Sequence, residues 1–321
     1  MIRASEQYCT HDPCVVLYLP VPVWLNDIGA QLSGARLLGR HYDELRASGI
    51  SPEIIRASSI CSVGSEGVRR MLHWTRDHNH VGTGWAIPFD DPSTPSCYWR
   101  VKLDQPRVKG DHKLKYESPV GSSNRAYFPP GFDTTTGVSI VITEGEKKAL
   151  SAMTNGMNCI GLTGVWNWQK PRKRDDSGRG YGSRYLIDDL NAINWANRDV
   201  IIAFDSDAAE KRSVEFAQQK LAEALAKRGA NVKVARLPSG KNGRKLGLDD
   251  ALVELGKMAV DDVLKAAGEP ELPELSWPDL ARMFVELRFS IGDEPTVRYW
   301  RHTFWQWTSH HYEEVDDRSL E

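Results

Sequence analysis

Residues 138–153 read VSIVITEGEKKALSAM, residues 159–168 read CIGLTGVWNW, and residues 198–207 read RDVIIAFDSD. The runs Ser139–Thr143 and Val200–Phe204 are short, apolar and rich in β-branched residues, the pattern of strands buried on both faces of a parallel sheet. Each run ends in acid: Glu144 after the first, Asp205 and Asp207 after the second. In open parallel α/β sheets, ligands bind beyond the carboxyl ends of the strands. If the two strands are neighbours, three carboxylates meet at that edge. Like charges so close shift their pKa values or share a cation. Oxygen-only ligands select a hard ion, so Mg²⁺ or Mn²⁺ is the expected cofactor. Spacing by two places Asp205 and Asp207 on one side of an extended chain, where both can reach one ion or a close pair.

The order TEGEKKA (143–149), GVWNW (164–168), FDSDA (204–208) and LGLDD (246–250) resembles the Toprim domain of bacterial-type primases, topoisomerases and some nucleases. It is most similar to the Toprim-like domain of phage and plasmid primases, over about Ser48 to Asp250. The resemblance implies an α/β fold: a Toprim-type core with a mostly parallel sheet flanked by helices, and an N-terminal mixed α+β subdomain beside it. It implies a DNA primase, a nucleotidyltransferase that joins nucleoside triphosphates into short primers on a single-stranded DNA template. Asp205 and Asp207 would hold the metal, with Glu144 as a further ligand or as the group that takes the 3′-hydroxyl proton. It also places Asp249 and Asp250 near the same metal, although the pair serves equally well as the cap of a helix over ALVEL (251–255). A metal-dependent nuclease and a non-catalytic single-strand-binding platform for a helicase are the alternatives.

The chain has 321 residues, room for two domains or one with appendages. A hydrophobic content of 40% and a charged content of 26% are those of a soluble globular protein. The formal net charge of −2 means that any nucleic-acid contact must come from a local basic patch. No apolar run approaches bilayer length, so no membrane partner is expected, and the first residues lack the apolar stretch of a signal peptide. The 5 cysteines are scattered, which fits a reducing cytoplasm, here that of a bacterial cell carrying a phage or plasmid. Cys9, His11 and Cys14 lie close together, but the second ligand pair of a zinc ribbon is missing, so zinc is not expected.

The organisation expected is an α+β nucleic-acid- or nucleotide-binding subdomain over 1–137, the catalytic core over 138–268, and a linker with the start of a helicase-associated region over 269–321. In the first part, HYDELRASGISPEIIRAS (41–58) reads as two helices, the first stopped by Gly49, the second capped by Ser51 with Pro52 at its first position. From Tyr98 to Pro130, basic residues alternate with aromatic ones, the signature of single-strand binding. Arg100, Lys102, Lys115 and Arg125 are its candidate contacts, with Arg100 and Lys102 on one strand face.

In the core, Lys147 and Lys148 open the helix after Glu144, where a helix N-terminus attracts phosphate. Arg172, Lys173 and Arg174 lie in a basic Gly-rich loop that suits nucleic-acid phosphates, and Lys245 precedes the Asp249–Asp250 pair. AEKRSVEFAQQKLAEALAKRG (209–229) is the clearest amphipathic helix, closed by Gly229, and NVKVARLP (231–238) alternates as a fourth strand. In the tail, VRYWRHTFWQWTSHHYEEV (297–315) alternates aromatic and polar residues like a hairpin and resembles the segment that opens the helicase half of phage primase–helicases.

Overall fold

The computed structural model of the chain describes residues 37–75, 82–89, 98–109, 112–171, 173–174, 180–181, 184–206, 212–270, 281, 284–285, 290–291, 294–301, 303–308 and 310–315. The Cys9–His11–Cys14 cluster, Arg172 and Asp207 lie outside them. Among the described residues no helix is long and apolar enough to cross a membrane.

The N-terminal half runs α1 (Gly39–Ala47), α2 (Pro52–Ala57), β1 (Cys61–Val63), α3 (Ser65–Met71), β2 (Gly84–Phe89), β3 (Tyr98–Lys109) and β4 (His112–Glu117). The helix signals read from sequence are present. Gly49 turns the chain after α1 with φ +73, and the Ser51 hydroxyl accepts the Ile54 N–H at 3.3 Å to start α2. The four strands form one antiparallel sheet in the order β1-β2-β3-β4. Its two faces obey the period of two. Ala86, Val101 and Leu103 join Cys61, Val63, Val68 and Leu72 in a core beneath α3. Trp85, Ile87, Phe89 and Tyr98 face the other way and join a larger core. His41 clasps α1 to this sheet: its Nδ1 lies 2.7 Å from Ser62 Oγ and its Nε2 2.7 Å from Asp104 Oδ1. Ser62 also accepts the Leu38 N–H at 2.8 Å and is buried, so this Ser–His–Asp set is a structural tie rather than a nucleophile.

The next stretch contributes β5 (Ala126–Tyr127), β6 (Ile140–Glu144), α4 (Glu146–Thr154), β7 (Cys159–Leu162), β8 (Lys173–Arg174), β9 (Gly180–Tyr181), α5 (Asp188–Asn191), β10 (Asp199–Ile202), α6 (Arg212–Ala226), β11 (Asn231–Val234), α7 (Leu248–Glu254) and α8 (Lys257–Lys265). The main sheet has the order β11-β10-β6-β7-β5. Its first four strands are parallel and the short β5 edge is antiparallel. Alternation again sorts the side chains. Val141, Cys159 and Ala203 pack on one face with Ala149, Leu150, Leu248 and Leu252. Ile140, Ile142, Ile160, Leu162, Val200 and Ile202 pack on the other with Leu221, Ala222 and Leu225 of α6. Each fully buried Ile, Leu or Val contributes about 1.5–3 kcal/mol, which is why these runs tolerate no polar residue at their centres. The first of these cores also contains Leu45, Trp85, Ile87 and Tyr98, so one continuous core crosses residue 137.

The tail holds two small sheets: β12 (Ser290–Ile291) with β13 (Glu294–Pro295), and β14 (Val297–Trp300) with β15 (Thr303–Trp307) and β16 (Tyr312–Glu314). The stretch expected as a hairpin thus folds into three antiparallel strands.

Candidate active site

The central strand β6 sends the chain to β7 on one side and, later, to β10 on the other. The sheet order thus reverses between β6 and β10, and a crevice opens beyond the carboxyl ends of strands at such a switch point. The register pairs Val200 with Ile140 and Ile202 with Ile142, and the Ala203 N–H donates to Ile142 O at 2.8 Å. Glu144 and Asp205 therefore leave adjacent strands at the same edge.

Between Glu144 and α4 the chain turns at Gly145, with φ +97 and ψ 152. Essentially only glycine adopts this conformation. The turn aims the start of α4 at the edge, and the Gly145 N–H donates to Leu162 O at 2.6 Å. From the first turns of α4, Lys148 Nζ reaches Asp205 Oδ1 at 2.7 Å. Lys245 Nζ reaches Asp205 Oδ2 at 2.9 Å from the loop before α7. Asp205 is only 7% exposed, and each of its two oxygens faces a lysine ammonium, so its charge is held in a buried place by two cations.

Gly247 supplies the floor. A β carbon there would stand 2.4 Å from Lys148 Cε, 2.9 Å from Asp249 Oδ1 and 3.3 Å from Asp205 Oδ1, so the glycine lets these three side chains converge. Burial raises the Asp249 carboxyl above the ordinary aspartate value, Lys148 partly offsets this, and the neighbouring Asp250 charge adds to it. Asp250 accepts the Gly247 N–H at 3.3 Å. The two readings of the pair are thus divided between its members: Asp250 caps α7, while Asp249 faces Asp205. Beside Asp205 a cleft of about 350 Å³ opens, lined by Ser206, Gln218, Gln219, Arg236 and Leu237 among others, within the size range of small-molecule sites.

The antiparallel sheet supplies a second layer of charge. Arg100 and Lys102 do share one face of β3, and that face meets α4 at Arg100 and α1 at Lys102. Arg100 pairs with Glu146, and the pair is nearly enclosed, at 13% and 2% exposure. Arg100 also donates to Thr163 O at 3.2 Å and lies over the Tyr116 ring at 5.1 Å. Burial, and then the Glu146 and Glu44 charges, hold the Tyr116 hydroxyl well above its ordinary pKa. Lys102 pairs with Glu44 at 3.0 Å, and Lys147 lies 3.4 Å from Glu44 and 3.0 Å from Ser48 Oγ. Glu44 also accepts the Trp85 indole N–H at 3.1 Å. Burial works to raise the Glu44 pKa, but the Lys102 and Trp85 hydrogen bonds and the two lysine charges outweigh it and leave the value lowered.

Comparison with known proteins places the chain among little-described relatives. Residues 132–259 match a family model described as a domain of unknown function (DUF3854). An uncharacterized protein of Picosynechococcus sp. strain PCC 7002 is 26% identical over 278 residues, covering 70% of this chain. The chain spans about a quarter of that relative's length, 27%. Among solved structures, the RNA polymerase domain of Mycobacterium tuberculosis primase DnaG is 14% identical, with a TM-score of 0.49, covering 77% of this chain and 85% of that one. The zinc-binding and RNA polymerase domains of the Aquifex aeolicus primase are 16% identical, with a TM-score of 0.47, covering 72% of this chain and 56% of that one. A DnaG primase catalytic domain bound to single-stranded DNA is 15% identical, with a TM-score of 0.46, covering 70% and 71%.

Of the residues singled out in the sequence, the structure brings together Asp205, Asp249, Lys148 and Lys245, with Glu144 on the adjacent strand end. Lys147 turns instead to Glu44. Among the described residues no three Asp, Glu, His or Cys side chains converge tightly enough to cage an ion by themselves. Arg125 is held by Asp189 at 2.9 Å, bracing β5 against α5. Lys115 is exposed on β4. Lys173 and Arg174 lie in β8, paired with β9. Glu44 was missed by the sequence reading. Its partners are 58 and 103 residues away, and no local spacing announces such a contact.

Proposed function

We propose that this chain carries a Toprim-type, metal-dependent nucleotidyltransferase site and makes short primers on single-stranded DNA in phage or plasmid replication. One observation carries the reading. A buried carboxylate, Asp205, sits at the switch point of a parallel sheet, beside a second buried carboxylate and between two lysines. Aspartate oxygens and a small, closely bounded edge fit a hard divalent cation. Asp205 would hold Mg²⁺ or Mn²⁺, with Asp249, Glu144 and Asp207 as the further oxygen donors of that edge. The ion would supply charge neutralisation at the triphosphate and at the attacking 3′ oxygen.

The chain's own groups have separate tasks. Lys148 and Lys245 pair with Asp205, and both can turn to phosphate oxygens where that charge is met by a cation. The N-terminus of α4 adds backbone N–H groups and the positive end of its dipole for the same oxygens. The cleft beside Ser206, Gln218 and Gln219 offers a polar and apolar lining on the scale of a nucleoside. The Arg100–Glu146 pair fixes α4, and with it Lys148, against the N-terminal sheet.

The test is primer synthesis by the parent chain on a mixed-sequence single-stranded template with labelled nucleoside triphosphates and Mg²⁺ or Mn²⁺. Short labelled products from the parent, reduced by about 10²-fold or more in Asp205→Asn, are expected for loss of a metal ligand. Degraded template in place of product would assign the same acids to a nuclease. Tight single-strand binding with neither activity would assign the chain to a binding platform.

A further inference from the structure

The sheet of the tail presents aromatic side chains where a packed protein would cover them. Opposed residues of an antiparallel pair share a face, as do residues two apart on one strand. The register pairs Arg298 with Trp305, Trp300 with Thr303, Trp305 with Glu314 and Trp307 with Tyr312. One face therefore carries Arg298, Trp300, Trp305, Trp307, Tyr312 and Glu314. Trp300 and Trp305 have ring centroids 6.0 Å apart, and Trp307 and Tyr312 5.2 Å apart. Trp300 is 55% exposed and Tyr312 42%. The pairs are spread across the sheet, with Trp305 and Trp307 about 6.8 Å apart along the strand.

Two features mark one edge of this face. Arg301 lies over the Trp300 ring at 4.2 Å. It also occupies the turn between β14 and β15 with φ +50, a left-handed position at which glycine or asparagine is ordinary in a tight hairpin. A long cationic side chain thus stands in a conformation that disfavours it. Arg298 lies on the same strand edge, and the acid of this face, Glu314, lies two strands away, beyond Trp305.

We propose that this face binds single-stranded nucleic acid, stacking bases on Trp300, Trp305, Trp307 and Tyr312 and holding the backbone with Arg298 and Arg301. Its chemistry selects that occupant. Beside Thr303 and Glu314, the face offers four aromatic rings, with two guanidinium groups at one edge, and aromatic platforms flanked by cations suit the bases and phosphates of a single strand. Duplex DNA keeps its bases stacked and offers such a platform nothing, while every unstacked base has a π face. The face belongs to a different sheet from the acidic edge and would hold a strand whether or not that edge joins nucleotides.

The experiment measures fluorescence anisotropy of a labelled oligodeoxythymidylate with the full chain, for the parent, Trp300→Ala, Trp300→Phe, Arg301→Gly and Asp205→Asn. The exposed position of Trp300 and the positive φ of Arg301 make Ala and Gly compatible with the fold. Loss of about tenfold in affinity in Trp300→Ala, retention in Trp300→Phe and a steeper loss with added salt in the parent than in Arg301→Gly are expected. Photocrosslinking with 5-iododeoxyuridine should attach the strand within 297–315. Parental affinity in Trp300→Ala with no crosslink in that segment overturns the proposal. So does parental affinity combined with self-association that Trp300→Ala abolishes, which would make the face a contact between two copies. Asp205→Asn separates this claim from the catalytic one: failure of primer synthesis with the Trp300 effect intact contradicts only the latter.

Discussion

Glu44 and Asp249 are both carboxylates drawn partly out of water with Lys147 as a common neighbour, and the structure gives them opposite effects on stability. The Glu44 pKa is lowered in the fold, so its contribution is fully present above the unfolded value near 4.5 and is lost as pH falls through the folded value. Glu44→Gln should lower stability at neutral pH by about 1–2 kcal/mol, a charged hydrogen-bond value discounted for partial exposure. In urea titrations that deficit should shrink as the pH drops below 4. The Asp249 pKa is raised, so the folded state favours its protonated form, and that advantage is lost as pH rises through the folded value. Asp249→Asn should therefore raise the melting temperature at pH 7 in EDTA, with the gain vanishing in acid. A carboxylate kept at a cost to stability is what a binding site requires and a structural cap does not. An unchanged or lower melting temperature for Asp249→Asn would contradict this. The sequence announced Asp249 only as one of a pair, and it could not divide the pair because both spacings suit a helix start. What divides them is the cradle at Gly247, formed by residues about 100 and 40 positions earlier.

Helix α4 and the turn before it carry the arrangement of the site. Gly145→Ala meets no atom within 4 Å, so its whole effect is backbone strain at φ +97. It should cost about 1–3 kcal/mol. It should also displace the start of α4, weakening phosphate binding more than a surface substitution of equal cost. The Arg100–Glu146 pair is the other support of this helix. Arg100→Met leaves Glu146 buried without its partner and should cost about 3–5 kcal/mol, whereas Glu146→Gln with Arg100→Met together should recover much of that loss. Chemical denaturation of the two single variants and the double variant checks this. At this scale the sequence was informative. The β-branched runs, the helix over 146–154, the amphipathic stripe of α6 and the Ser51–Pro52 start all emerged within a few residues, because period and capping are local. Strand β10 stops at Ile202 rather than Phe204. Ala203 and Phe204 are still buried, so hydropathy alone extends the run beyond its ladder. On the basic strand β3, Arg100 meets Glu146 of α4 and Lys102 meets Glu44 of α1, partners that the sequence does not announce because a period of two fixes which residues share a face but not what lies opposite.

Across the whole molecule, the parallel sheet and the N-terminal antiparallel sheet share one core, and their charged residues meet over α4. That joining is invisible to local pattern, since it rests on contacts such as Arg100 with Glu146 and Lys147 with Glu44. The parallel order itself was legible only as a condition, that the two acid-ended strands be neighbours. The register of β6 with β10 meets that condition. The claim on which the rest depends is that the edge beyond these two strands is a divalent-cation site centred on Asp205. Titration of the full chain with Mn²⁺, followed by the electron paramagnetic resonance signal of the free ion, tests it without requiring any turnover. Saturable uptake by the parent is expected, weakened about 10-fold or more in Asp205→Asn and strengthened in Lys245→Met, which removes a competing cation. Equal Mn²⁺ uptake by the parent and Asp205→Asn, or none by either, would contradict the account.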